Sequence, residues 1–83
     1  MIGITRIIDK IKAFPISEST FSVDTHGLGC ILKITGGDAE VFISDAAEAF
    51  PVKDGETLEF CGNLLIKAST DSATAHCLYY KTL

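Results

Sequence analysis

Cys30-Ile31-Leu32-Lys33-Ile34-Thr35-Gly36-Gly37-Asp38-Ala39-Glu40-Val41-Phe42-Ile43 is the stretch on which the fold turns. Cys30, Leu32 and Ile34 alternate with Lys33 and Thr35, with Ile31 blurring the pattern. Beyond the glycines, Val41 and Ile43 alternate with Glu40 and Ser44, while Phe42 shares the outer face. Successive side chains of an extended strand leave opposite faces, so each run predicts a half-buried strand. Gly36-Gly37-Asp38 leaves room for little more than a reversal, and the spacing predicts a tight hairpin.

The same period of two continues on both sides. Phe21 and Val23 alternate with Ser22 and Asp24; Leu58 and Phe60 with Thr57 and Glu59; Leu64, Ile66 and Ala68 with Lys67 and Ser69. Ala73, Ala75, Cys77 and Tyr79 alternate with Thr74, His76 and Tyr80. Turn residues separate the runs: Gly27 and Gly29 around Leu28, Asp54-Gly55, Gly62-Asn63, and Thr70-Asp71-Ser72 closing a last hairpin. Asp45 to Pro51 reads as a loop in which Ala46, Ala47 and Ala49 could form one helical turn, stopped by Pro51. The fold class is therefore all-β: a small antiparallel sandwich or barrel of about six strands, one domain over residues 16–83. Parallel units are excluded because nothing helical fits between the runs.

Residues 1–15 follow another rhythm. Ile4, Ile7, Ile8, Ile11 and Phe14 recur at spacings of three and four, with Arg6, Asp9, Lys10 and Lys12 between them. That spacing predicts a short amphipathic helix ended by Pro15, although the β-branched isoleucines are middling helix formers and leave an extended arm open.

With 83 residues, the chain has room for a single modest core, which excludes barrel-sized enzyme scaffolds and doubly wound nucleotide-binding sheets. A hydrophobic fraction of 47% against 22% charged residues is globular rather than disordered. The net charge is −4 but unevenly spread, +2 over residues 1–14 and −6 over the remainder. An acidic body without tryptophan argues against nucleic acid as a partner. No apolar run reaches the roughly 20 residues of a spanning helix, and charges interrupt any signal-peptide core, so membrane association is not expected and synthesis is expected in the cytoplasm. An odd number of cysteines, Cys30, Cys61 and Cys77, suggests reduced, buried thiols.

The residues that could carry chemistry are scattered. His26, Cys30, Cys61, His76 and Cys77 include no Cys-x-x-Cys pair, and His76 and Cys77, as strand neighbours, point to opposite faces. Ser44 or Ser69 with His26 or His76 and Asp24 or Asp45 makes a triad only on paper, without a Gly-x-Ser-x-Gly elbow. Glu56 and Glu59 read as a solvated edge, and Gly36-Gly37 lacks the lysine, hydroxyl and helix of a phosphate loop. No catalytic residue, metal or cofactor is expected.

The run from Cys30 to Tyr80 resembles a group of small β-sandwich proteins of tailed phages and prophages, described as head-decoration or virion accessory proteins. The resemblance lies in Ile31-Leu32-Lys33-Ile34-Thr35-Gly36-Gly37, Ala39-Glu40-Val41-Phe42-Ile43-Ser44, Phe50-Pro51-Val52, Gly55-Glu56-Thr57-Leu58, and the strands Leu64 to Ala68 and Ala73 to Tyr80. It implies a structural, oligomer-forming role, with other virion proteins as further partners. Assembly needs surface patches rather than clefts. Phe42, Leu65, Leu78 and Tyr80 lie out of phase with the main apolar set and, with Ile4, Ile7, Ile8, Ile11 and Phe14, form the candidate interface. The expected function is self-association without catalysis; the alternative is a stand-alone carbohydrate- or peptide-binding module.

Overall fold

A computed structural model describes residues 5–43 and 48–82. Six strands follow in chain order: β1 (Arg6–Ile16), β2 (Phe21–Thr35), β3 (Ala39–Phe42), β4 (Phe50–Val52), β5 (Thr57–Ala68) and β6 (Ala73–Thr82). They form one sheet in the order β1-β6-β2-β5-β3-β4, and every neighbouring pair is antiparallel. The all-β class is as expected. Among the described residues the six strands belong to one sheet rather than two, with β1 and β4 at the ends of its order and no ladder between them.

The N-terminal helix is corrected. Residues 6–16 are a strand hydrogen-bonded to β6, crossing the expected boundary at residue 15. Isoleucine's branched Cβ suits an extended backbone better than a helix. The helix-like spacing comes from a bulge at Asp9. Ile8 stands opposite Tyr80 and Ile11 opposite Leu78, so two residues three apart share one face. Phe14, opposite the buried Ala75, turns to the other face, and the single apolar stripe imagined for a helix is split in two.

Two expected turns prove to be kinks inside long strands. Asp24 pairs with Asn63 and Gly29 with Cys61, so Thr25–Leu28 on β2 face Gly62 alone on β5. The surplus bends the pair. His26 and Gly27 take left-handed φ of 52° and 85°, and Gly62 opposite them takes 119°. Asp24 Oδ1 accepts the His26 amide at 2.9 Å, a short-range bond that helps a non-glycine residue tolerate that region. On the inner side the wholly buried Thr25 accepts the Gly62 amide at 2.8 Å through its hydroxyl.

The bend lets one sheet cover its own face. Leu32, Ile34, Ile66 and Cys30 are fully buried, yet among the described residues there is no helix to cover them. β6 flanks β2 from Gly29 to Thr35, whereas β3 flanks β5 from Leu65 to Ala68. The two halves share one core, which joins Cys30, Leu32, Ile34 and Cys77 to Val23, Val41, Leu64 and Ile66. Ser17, just past β1, accepts the Ala68 amide at 2.7 Å although two strands separate β1 from β5 in the sheet, so the sheet curls back on itself.

Neither expected hairpin forms. β2 and β3 are not neighbours despite Gly36-Gly37-Asp38, nor are β5 and β6 despite Thr70-Asp71-Ser72. Asp38 instead accepts the Asp54 amide at 2.9 Å, and Asp54 accepts that of Gly36 at 3.3 Å, tying the β2–β3 corner to the β4–β5 turn. Phe50 and Pro51, the end of the loop expected over Asp45 to Pro51, join Val52 in the short edge strand β4, where Pro51 forfeits no more than one ladder bond.

Thr25→Val should lower the unfolding free energy by about 1–3 kcal/mol in urea titration, since it strands the Gly62 amide. Thr25→Ser should retain most of the stability. Equal losses for both would show that the Thr25 hydroxyl does not hold the bend.

Candidate interaction surface

The outer face of the β1-β6-β2 half carries an apolar row. Ile11 stands opposite Leu78, which stands opposite Ile31 on β2. Ile11 is 70% exposed and Ile8 51%, ahead of Ile7 at 41% on the same strand. Leu78 and Ile31 are half-buried. Since one side of β1 is an open edge, the row ends at a strand whose backbone groups face outward.

Tyr80, expected in this patch, is already covered by its own chain. Its ring lies over Gly29, where even a methyl group would clash with the ring. The Arg6 guanidinium stacks 4.6 Å from the ring centroid and pairs with Glu59 at 3.1 Å, and Glu59 accepts the Tyr80 hydroxyl. That bond to the carboxylate raises the phenol's pKa; burial adds to the effect and Arg6 opposes it. Ile7 is 41% exposed on the opposite face of β1. Phe14 is taken up by stacking on Phe21, with centroids 4.7 Å apart. Ile4 lies outside the described residues.

A second apolar area lies toward the other edge. Phe42 stands directly opposite Leu65, and both are half-buried. Ile43, assigned to the core by its phase, is 74% exposed, and Phe50 beside it is 61% exposed. With Phe42, Leu58 and Phe60 they line an open groove of about 320 Å³, with Glu48 among its lining residues. Sequence reading missed Phe50 and Ile31; the Phe50-Pro51-Val52 triplet was the available signal for the first.

The ionisable residues serve other ends. His76 shares a 2.9 Å hydrogen bond with Thr35, and His26 sits on the bulge with Nδ1 3.9 Å from Asp24. Glu56 accepts the Lys53 amide, apart from the Glu59 cluster. Among the described residues no group of histidine, cysteine and carboxylate side chains is placed to hold a metal. Ser44 and Asp45 lie outside them. Cys30 and Cys77 are buried as expected, whereas Cys61 is exposed on the outer face. The pKa of the Cys30 thiol is raised, first by its hydrogen bond with Cys77 and then by burial, which favours the protonated form. No helix of the described residues is long and apolar enough to cross a membrane.

Set beside known proteins, the chain matches no protein-family model and no curated protein.

Tyr79's phenol is pushed up to about 12, by burial first and then by Cys77. Both phenols therefore hold their protons more tightly in the folded chain than at the ordinary value of about 10. This contribution is complete below the unfolded value and is lost as pH rises toward about 12. The phenolate absorbance of the native protein should lag behind that of the denatured chain, and Tyr79→Phe should lessen the alkaline loss of stability. Superimposable native and denatured titrations would contradict the assignment.

Proposed function

We propose that this chain is a non-enzymatic structural protein that acts by self-association, as an accessory component of a phage or prophage particle. The observation that carries the first part is the Ile11–Leu78–Ile31 row running out to an open edge strand. A contiguous apolar row at a sheet edge loses little by ordering and gains burial when a partner covers it. The polar side chains support the same reading, because Arg6, Glu59, Thr25 and Asp38 are engaged in holding the sheet and its turns. The particle context rests on the resemblance over residues 30–80. A second reading, a stand-alone module that binds a peptide or a carbohydrate, draws on the groove beside Phe50.

Native mass spectrometry and light scattering separate the two. The assembly reading expects a discrete oligomer at micromolar concentration, and Ile11→Lys should weaken it by roughly ten- to a hundredfold per contact, from the burial of one isoleucine. At concentrations dilute enough that both proteins are monomeric the thermal midpoint should hardly differ, because Ile11 is exposed in the single chain. A monomer at all concentrations would overturn self-association and favour the binding module.

A further inference from the structure

Among the described strands β1 and β4 are the two edges of the sheet, and they are unlike. β1 carries Arg6, Lys10 and Lys12 against the single acid Asp9, a charge of +2. Around β4, residues 48–56 carry Glu48, Asp54 and Glu56 against Lys53, a charge of −2. The shapes differ as well. β1 presents the protruding side chains of Ile8 and Ile11, whereas the β4 side offers the groove lined by Phe42, Ile43, Phe50, Leu58 and Phe60.

We propose that copies of this chain join head to tail, the β1 edge of one copy seating Ile8 and Ile11 in the β4-side groove of the next. This rests on the self-association proposed above and adds its direction. Pairing β1 with β1 would bring two strands of like charge together and set protrusion against protrusion, while pairing two β4 edges would oppose acids and leave two hollows empty. Lysines and a bulge are devices that discourage an edge strand from pairing with its own kind, and β1 has both. They oppose an acidic partner far less. Pro51 offers no amide, so side chains and charge make the join rather than a continued ladder. A contact between two different surfaces leaves one of each kind free, so growth continues until the rotation closes a ring.

Two edge variants test this, one with Ile8→Glu and Ile11→Glu, the other with Ile43→Lys and Phe50→Lys; all four side chains are largely exposed. Each variant alone should be monomeric in native mass spectrometry. Mixed in equal amounts, they should form a one-to-one complex and nothing larger, because one intact edge of each kind remains. Dimerisation of either variant alone, or a mixture that stays monomeric while the unaltered protein assembles, would overturn the head-to-tail join and leave self-association standing. A monomeric unaltered protein would overturn both. Should a variant fail to fold by circular dichroism, the unaltered protein decides through salt: dissociation should increase from low to high salt as attraction between opposite charges is screened. Tighter assembly at high salt would mean like-charged edges meet, and would also overturn the proposal.

Discussion

The bond between the Gly62 amide and the Thr25 hydroxyl stands where β2 carries four residues against one on β5. Without a bend there, β2 and β5 would run on as a flat ribbon with one greasy face in water. With it, the half bearing β6 and β1 and the half bearing β3 and β4 close over a common interior. An all-β chain of this length has few ways to bury both Leu32 and Ile66, and a kinked central pair supplies one without a second sheet. Burial of Thr25 follows from the same need, since a bulge releases backbone amides that something polar must receive.

The period-two pattern made much of this legible. The inward phase of Cys30, Leu32 and Ile34, of Leu64, Ile66 and Ala68, and of Ala73 through Tyr79 is the phase of the core. Glycine was the misleading letter. Gly27, Gly36, Gly55 and Gly62 all take left-handed φ, as a turn reading supposes, but a backbone can use that freedom to kink as well as to reverse. Gly36-Gly37 does redirect the chain; it does not decide which strand lies alongside the next. Pairing is decided by distant residues, which local spacing does not record.

The N-terminal segment shows the same limit from the other side. A bulge shifts the register by one, and one residue of shift in a strand imitates the spacing of a helix face. Of the residues that the helical spacing puts on one face, Ile8 and Ile11 do share a face of β1, whereas Ile7 and Phe14 lie on the other. Tyr80 was out of phase with the core as expected, yet the bare backbone of Gly29 gave its ring a bed within its own chain. Phase shows which face a side chain occupies, and only the neighbours decide whether that face is covered.

Of the five ladders among the described residues, only β3 with β4 joins strands that are consecutive in the chain. The central ladder waits for β5 to find β2, and β1 has no partner until β6, some sixty residues further along the chain, has been synthesised. Such a topology closes its loops late and folds slowly compared with a run of hairpins. During that interval the isoleucine-rich segment has no partner strand, and Lys10 and Lys12 within it are charges of the kind that disfavour pairing with others of its kind.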